Sequence, residues 1–460
     1  MKTFAINTLG CKVNQYESQQ IRELLEQLGL APVETSKDKP DLVVINTCCV
    51  TLSASAKSRQ YIQKARKLSS GAVIIVTGCL PTVQIGELND LGKNIHLVRH
   101  REAIAAVLSR IATGHALTSD CQNLQTRRDT TIKTENNSKI KCKNKFAYQP
   151  TLPQLTTFKG HTRAFLKIQD GCDGYCSYCI IPKTRPFVHS KPVEAVIREA
   201  RGLVEAGHKE IVVTGIFLGA FGQRSVRRKN WVNQQSDDLA NLLDKMAEIP
   251  NLARIRLSSL EPADVTKRLL DTFCKHRNIM PHLHLSLQSG SNTVLKRMCR
   301  QYKADEFRER IELIKSRLDR PAITTDLIVG FPGETDSDFE ATINLARDVG
   351  FAKMHIFSFS PRKGTAAASL QDIVDNRIIK NRSQILHDLD VELSAKFRQQ
   401  FVGRTAAVLL ENSNGQICGR SERYFMVYLE KTDGNFKKND LVKVKLLENS
   451  ENGIVGQAET

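Results

Sequence analysis

The sequence predicts an α/β protein with three parts: an open parallel α/β domain, a central partial TIM-like barrel of six βα units, and a small antiparallel β-barrel at the C-terminus. Apolar strands alternate with amphipathic helices over the first hundred or so residues and again from about residue 161 to residue 370, which is the pattern of parallel sheets. Short strands separated by turn residues then fill roughly the last 60 residues. We place the domain boundaries at residues 1–114, 161–400 and 401–460, with a linker over residues 115–160.

The N-terminal domain is predicted from four apolar strands at residues 4–8, 42–46, 72–77 and 95–98. Helices are expected at residues 17–28, 53–68 and 101–111, and Asn14 is expected to cap the first of them. The second and third strands are continuously apolar, as parallel strands are when both of their faces are buried. This order of elements favours an open parallel sheet.

Three cysteines follow three of these strands: Cys11 follows the first, Cys48 the second and Cys79 the third. Because the carboxyl ends of parallel strands lie along one edge of the sheet, we expect the three thiols to converge there. They would then form a three-cysteine site for a metal cluster, with Cys49 pointing elsewhere as a non-ligand. The alternative is that each is simply a small buried residue, as unpaired cysteines often are.

The predicted linker differs in composition from the domains on either side. It is polar and basic, rich in Thr, Asn and Lys, and it has no apolar periodicity. Its positive charges form either an ordinary solvated face or a track for a phosphate backbone. Cys121 and Cys142 lie in this segment and are expected to be free thiols.

The central barrel is predicted from six strands at residues 164–169, 210–214, 254–258, 283–287, 324–329 and 353–358. Helices are expected after most of them, at residues 193–206, 237–248, 262–273, 305–317 and 336–348. In barrels of this kind the active site lies at the carboxyl ends of the strands. Candidate functional residues are therefore sought in the loops that follow the strands.

The loop after the first central strand carries Cys172, Cys176 and Cys179 in a C-x3-C-x2-C spacing. Such a glycine-punctuated loop can wrap three thiolates around one inorganic cluster. An ordinary 4Fe-4S site has four protein ligands, so three would leave one iron open to another molecule. The alternatives are a zinc site with a distant fourth ligand, or incidental loop cysteines.

Polar or glycine-bearing segments follow the other central strands as well. They include Thr214 and Gly215, Ser259 and Glu261, residues 286–291, and Gly330. Each could be a common structural loop. Their placement after successive strands predicts that they surround the same active site.

Charge and hydropathy limit the partners and the compartment. The net charge of +18 indicates a polyanionic partner such as RNA, or an acidic membrane surface. No apolar run approaches the roughly 20 residues that span a bilayer, and the first residues lack the apolar region of a signal peptide. We therefore expect a cytoplasmic protein with reduced cysteines and no membrane partner. The small C-terminal barrel has a shape often used for single-stranded nucleic acid, although a structural cap is the alternative.

These motifs resemble the radical S-adenosylmethionine (SAM) methylthiotransferases over essentially the whole chain. The resemblance rests on the C-x3-C-x2-C loop, on the N-terminal cysteine motifs at residues 7–18, 46–51 and 77–79, and on a C-terminal TRAM-type barrel. Lys12 and Val13 follow the first cysteine, as in the branch that acts on threonylcarbamoyladenosine in tRNA. The isopentenyladenosine branch usually has a Gln-Met pair there.

The resemblance implies a transferase with two 4Fe-4S clusters. Cys172, Cys176 and Cys179 would hold the cluster that binds SAM, and a radical formed from SAM would abstract the hydrogen at C2 of the adenine ring. The N-terminal trio, Cys11, Cys48 and Cys79, would hold an auxiliary cluster that carries or donates sulfur, while a second SAM supplies the methyl group. The product would be 2-methylthio-N6-threonylcarbamoyladenosine next to the anticodon. The implied partners are a tRNA anticodon stem-loop, an electron donor and a sulfur source.

The resemblance also implies contacts to SAM. Thr214 and Gly215 would lie near its methionyl end, Ser259 and Glu261 would line its pocket, and Tyr178 would lie near the adenine. Gly330 would let the backbone approach the adenosine.

The sequence departs from the family pattern after the third cysteine of the loop. Arg185 is followed by Pro186 where the family commonly has an Arg-Gly pair, and His189 stands near the position of a later Arg. These departures put substrate and SAM contacts in question, since no cluster ligand is missing. The rival functions are methylthiolation of isopentenyladenosine or of a ribosomal-protein aspartate, and a non-catalytic Fe-S protein that binds RNA.

Overall fold

The computed structural model describes residues 1–33, 39–68, 71–83, 94–113, 152–230, 237–413, 415–430 and 436–459. The chain divides into two compact units, Met1–Leu155 and Thr156–Thr460. Most of the predicted linker, with Cys121 and Cys142, lies outside the described residues. None of the helices in the described part of the chain is both long and apolar enough to cross a bilayer.

The first unit contains the predicted open parallel sheet, with the strand order β2-β1-β3-β4-β5 and parallel pairing throughout. Its strands are β1 Thr3–Thr8, β2 Ala31–Pro32, β3 Leu42–Thr47, β4 Val73–Gly78 and β5 Ile95–Leu97. Its helices are α1 Lys12–Gln27, α2 Leu52–Leu68, α3 Leu80–Val83 and α4 Ile104–Ala112. All six residues of β3 are buried, as expected for a central parallel strand. The edge strand β2 is absent from the sequence prediction because two residues carry no periodicity.

The prediction that Asn14 caps the first helix is wrong. Helix α1 begins at Lys12, with Cys11 at the N-cap position, so Asn14 lies inside the helix. Its buried side chain instead donates hydrogen bonds to the carbonyl oxygens of Leu9, at 2.8 Å, and Thr47, at 2.9 Å. Two carbonyl groups at neighbouring strand ends thereby gain a donor, which ties the loop after β1 to the end of β3.

The second unit begins with the six predicted parallel strands, which are arranged in two sheets. The first has the order β7-β6-β8-β9 and the second the order β10-β11-β12-β13, and a bridge between Ile255 and Ile279 lies between them. The strands are β6 Ala164–Asp170, β7 His189–Ser190, β8 Glu210–Gly215, β9 Arg254–Leu257, β10 Ser259–Leu260, β11 His282–Leu285, β12 Ala322–Val329 and β13 Lys353–Ser358. The predicted third strand is thus divided into β9 and β10, and β7 is a short antiparallel addition. The six predicted βα units are all present.

The helices of this unit lie between and after the strands. They are α5 Ile181–Thr184, α6 Val193–Glu205, α7 Asp238–Ala247, α8 Lys267–Lys275, α9 Asn292–Arg297, α10 Ala304–Arg317, α11 Asp336–Val349 and α12 Asn376–Gln399. Thr335 caps α11 and accepts a hydrogen bond from the backbone N–H of Asp338 at 3.2 Å, and Gly350 ends this helix in the left-handed region.

The C-terminal strands form the predicted small barrel, which is closed in the order β14-β15-β16-β18-β17. They are β14 Thr405–Ser413, β15 Gln416–Ser421, β16 Met426–Leu429, β17 Leu441–Ser450 and β18 Gly453–Ala458. Four of the neighbouring pairs are antiparallel and the pair β16–β18 is parallel. The barrel is therefore largely, but not wholly, antiparallel.

The end of β15 and the turn that follows it pack against the amino ends of the central strands. Arg254 donates to the carbonyl oxygen of Arg420 at 2.9 Å, and Arg256 donates to that of Glu422 at 3.1 Å. The rings of His282 and Tyr424 lie 4.7 Å apart. The small barrel thus closes the end of the central barrel opposite to the cysteine loop.

Candidate functional site

The cysteine loop leaves β6 through a tight, buried turn. Gly171 has a φ of +82°, and a Cβ atom at this position would lie 1.7 Å from the carbonyl oxygen of Phe187, so only glycine fits. The N–H of Cys172 donates to the carbonyl oxygen of Arg185 at 2.8 Å. Arg185, which precedes the departure from the family pattern at Pro186, is itself buried and pairs with Asp170 at 2.7 Å, so it supports the loop.

Cys172, Cys176 and Cys179 all line one pocket at the carboxyl ends of the central strands. The space between its atoms amounts to about 690 Å³, part of it open to solvent. The pocket is also lined by Gly174, Tyr178, Ile181, Ile216, Phe217, Leu218, Val226, Ser259, Leu260, Glu261, Asp264, Ser286, Gln288, Arg300 and Gln301. The three cysteines thus lie with Ser259, Glu261 and Ser286, which follow other central strands, around one pocket.

The chemistry of the three thiols fits a metal cluster. Burial raises the pKa of Cys172 and of Cys179 to about 12 and also raises the pKa of Cys176. Thiolates at this depth need positive charge and donors nearby. The structure supplies donors, among them the N–H of Gly174 to the Cys172 sulfur at 3.3 Å and the guanidinium of Arg300 to the Cys176 sulfur at 3.2 Å. Iron ions would supply the remaining positive charge.

Arg300 joins the cysteine loop to the far wall of the pocket. Its Nη1 lies 3.4 Å from the Tyr178 hydroxyl, and its Nη2 donates to Glu261 Oε1 at 2.6 Å. The second carboxylate oxygen of Glu261, Oε2, is buried and accepts no hydrogen bond from any described residue. A cationic or N–H group of a bound molecule could use this acceptor. Sequence analysis missed Arg300 because it lies 124 residues after Cys176, in a chain with many arginines.

Some of the residues predicted to contact SAM line the pocket, and others do not. Tyr178, Ser259 and Glu261 line the pocket, whereas Thr214, Gly215 and Gly330 are not among its described lining residues. A Cβ atom on Gly330 would lie 2.3 Å from Ile379 of α12, so helix packing already explains why this residue is glycine.

The N-terminal cysteines follow the ends of adjacent strands, as predicted. In the sheet Thr8 pairs with Asn46 and Thr47 pairs with Gly78, so β1, β3 and β4 end side by side. A Cβ atom on Gly10 would lie 2.8 Å from the Cys48 sulfur, which places Cys48 against the loop that carries Cys11. These positions gather three strand ends at one edge of the sheet.

Cys49 and Cys79 each have a hydrogen-bond partner at their sulfur atom. The Cys49 sulfur is fully buried and lies 3.4 Å from the carbonyl oxygen of Cys79. Arg101 donates to the Cys79 sulfur at 3.2 Å and lies 3.5 Å from Glu17. In the described part of each unit, therefore, an arginine hydrogen-bonds to a cysteine sulfur, a contact that tunes the potential of iron–sulfur clusters.

Comparison with known proteins identifies the family. A model of the radical SAM superfamily matches residues 166–346, and a model of the uncharacterized protein family UPF0004 matches residues 3–99. The chain is 36% identical over 459 residues to the threonylcarbamoyladenosine tRNA methylthiotransferase MtaB of Chlamydia pneumoniae, with 99% of this chain and 98% of that protein covered. It is 33% identical over 456 residues to the MtaB of Bacillus subtilis, with 97% and 94% covered. The chain belongs to the MtaB family of radical SAM methylthiotransferases.

Solved structures agree with the fold of this MtaB-family chain. The radical SAM methyltransferase TsrM of Kitasatospora setae, with cobalamin and a 4Fe-4S cluster bound, superposes with a TM-score of 0.52 at 14% identity. The match covers 78% of this chain and 75% of TsrM. It confirms the predicted fold class for the greater part of the chain, and the curated relatives confirm the predicted family.

Proposed function

We propose that this protein methylthiolates C2 of N6-threonylcarbamoyladenosine next to the anticodon of tRNA, giving 2-methylthio-N6-threonylcarbamoyladenosine. Its similarity to MtaB proteins over 99% of the chain carries this proposal. The three cysteines that line one pocket at the strand ends support the radical SAM chemistry.

The proposal assigns each cysteine group a 4Fe-4S cluster. Cys172, Cys176 and Cys179 hold the cluster that binds SAM, and the auxiliary cluster is held by Cys11, Cys48 and Cys79. When bound, the first cluster supplies the electron that cleaves SAM. SAM itself would bind at Tyr178, Ser259 and Glu261, with Thr214, Gly215 and Gly330 as further predicted contacts.

The protein's own residues orient SAM in this proposal. Glu261 Oε2 accepts a hydrogen bond from the ammonium group, and Arg300 holds the same carboxylate in place through Oε1. Tyr178, which packs edge-to-face on Phe331 with centroids 6.5 Å apart, forms an apolar wall of the pocket.

The product decides between this proposal and its rivals. Reconstituted enzyme, SAM and a reductant are incubated with tRNA that carries threonylcarbamoyladenosine or isopentenyladenosine, and the nucleosides are analysed by mass spectrometry. We expect one methylthio group on the first nucleoside and none on the second. Modification of the isopentenyl nucleoside alone would show that the enzyme belongs to the isopentenyladenosine branch and would contradict the proposal. SAM cleavage without change in either nucleoside would favour the ribosomal-protein substrate, and no cleavage would favour the non-catalytic rival.

A basic loop beside the cysteine pocket supports tRNA as the partner. Asp173, within the cysteine loop, accepts hydrogen bonds from the Ser225 hydroxyl at 2.7 Å and the Val226 N–H at 2.8 Å, which fixes the loop. The guanidinium of Arg227 lies 3.8 Å from the centre of the Tyr175 ring, which is 50% exposed. An aromatic ring with cations beside it is a common surface for single-stranded RNA.

Replacing Arg224 and Lys229 by Gln together should weaken tRNA binding without changing the cysteine pocket. Both side chains are exposed at the rim of this loop. Each lost phosphate contact should reduce the slope of log K against log salt by about one unit. Filter-binding titrations between low and moderate salt measure this slope.

The matched control is Lys245→Gln, an exposed cation on α7. It should leave the slope unchanged. An unchanged slope in the Arg224/Lys229 variant would show that tRNA binds elsewhere.

A further inference from the structure

The interior of the central barrel carries a polar cluster that neither cysteine group explains. His284 of β11, Asp326 of β12 and His355 of β13 each offer a ligand atom, and these atoms all lie within 4.8 Å of one another. The three residues lie on adjacent strands, with Asp326 paired directly to His355 and His284 paired to Thr324. Their positions are therefore fixed by the register of a parallel sheet rather than by a loop.

Strand periodicity places this cluster beneath the cysteine pocket. His284 and Ser286 share one face because they are two residues apart, and Ser286 lines the cysteine pocket. Two residues along a strand span about 7 Å, so His284 lies that far toward the amino ends. Two residues further, His282 contacts Tyr424 of the small barrel. The cluster thus forms a middle layer between the pocket and the C-terminal barrel.

Distances within the cluster match those between ligands of one ion. His284 Nε2 and Asp326 Oδ2 are 3.3 Å apart. Two ligands that each lie about 2.0–2.2 Å from a zinc ion are about 3–3.5 Å from each other. The His284 and His355 rings have centroids 5.7 Å apart and are inclined by 40°, and the ligand atom of His355 lies within 4.8 Å of the other two.

A contact outside the cluster orients the first histidine. His284 Nδ1 lies 2.9 Å from the Thr324 hydroxyl, so the other ring nitrogen, Nε2, faces the carboxylate. Histidines that bind metals almost always use one nitrogen for the metal and the other for such a hydrogen bond.

We propose that His284, Asp326 and His355 bind one divalent transition-metal ion, and zinc is the ion used to test the site. Two imidazoles and one carboxylate are a common ligand set for zinc sites that keep a coordination position open. The imidazoles disfavour Mg²⁺ and Ca²⁺, which take oxygen ligands. This site is separate from both cysteine groups and does not depend on the proposed substrate.

The test measures zinc in the full chain with both iron–sulfur clusters reconstituted. The protein is dialysed anaerobically against micromolar ZnCl2, and zinc and iron are counted by mass spectrometry. Zinc X-ray absorption then reports the ligands, because sulfur lies at about 2.3 Å from zinc and nitrogen or oxygen at about 2.0–2.2 Å. We expect one zinc per chain with a shell of nitrogen and oxygen only.

The variants His284→Ala and His355→Ala should lose this zinc and keep their iron. His387→Ala, an exposed histidine on α12, is the matched control and should keep both metals. His355 is exposed, so its variant decides the outcome if His284→Ala fails to fold. Less than a tenth of a zinc per chain, a sulfur shell, or zinc retained in folded His355→Ala would overturn the proposal.

Discussion

Replacing Cys176 by alanine should lower the iron content from about eight to about four per chain and abolish both SAM cleavage and tRNA methylthiolation. The reason is that two remaining cysteines cannot hold a cluster that already has only three protein ligands. Cys176 is also the sulfur to which Arg300 donates at 3.2 Å, so its loss leaves a buried guanidinium without that acceptor. Iron and sulfide counts, 5′-deoxyadenosine formation and nucleoside analysis measure the three effects.

A second variant separates the roles of the two clusters. Cys48→Ala should also leave about four irons per chain, but it should retain SAM cleavage while losing the methylthiolated nucleoside. Cys274→Ala, an exposed cysteine on α8, is the control and should behave as the unaltered protein does. Full iron content or product formation in Cys176→Ala would contradict the assignment of the pocket, and so would loss of SAM cleavage in Cys48→Ala.

Replacing Glu210 by glutamine should lower the free energy of unfolding of the second unit by about 3–5 kcal/mol, the usual cost of breaking a buried ion pair from one side. Glu210 is fully buried and lies 3.0 Å from Arg256 Nε and 3.4 Å from Arg254 Nη1. Its loss leaves two buried guanidinium groups without their carboxylate. Urea unfolding followed by circular dichroism measures the change.

The loss of stability in Glu210→Gln should depend on pH. Burial, the largest single influence, raises the pKa of Glu210, but the guanidinium groups of Arg256, Arg163 and Arg254 together outweigh burial and hold the pKa below its usual value. A lowered pKa in the folded state gives a stabilisation that is complete above the unfolded pKa of about 4.3 and lost as the pH falls through the folded pKa. The difference between the unaltered protein and Glu210→Gln should therefore shrink in acid.

An exposed ion pair provides the control for this prediction. Asp305 and Arg308 lie 3.2 Å apart on the surface of α10. Asp305→Asn should change the free energy of unfolding by less than about 1 kcal/mol. An equally small change in Glu210→Gln would show that the buried arginines find other acceptors.

The strands, and the strand ends at which the cysteines lie, could be predicted because their signals are local. Apolar runs such as residues 42–46 mark buried strands, and the rule that parallel strands end at one edge brings Cys11, Cys48 and Cys79 together. The apolar strand, the glycines and the cysteine spacing together predicted the loop with Cys172.

The supporting contacts could not be predicted, because each joins residues that are far apart in the chain. Arg101 reaches Cys79 across 22 residues, and Arg300 reaches Cys176 across 124. Asn14 has the residue type of a helix cap, but acceptors on two neighbouring strand ends take its side chain instead. No local sequence pattern specifies these hydrogen-bond partners, because they depend on which elements become neighbours in the fold.

The contact between Arg254 and strand β15 of the small barrel has a consequence for how the protein is made. Arg254 takes the carbonyl group of Arg420 as its acceptor, and 166 residues separate them. At about 5–20 residues per second the ribosome needs about 8–33 s to synthesise that interval. During this time the central barrel carries buried arginines without all of their acceptors. The newly made core therefore reaches its final form only after the last domain has emerged, and a chain that stops near residue 400 would remain a target for chaperones and proteases.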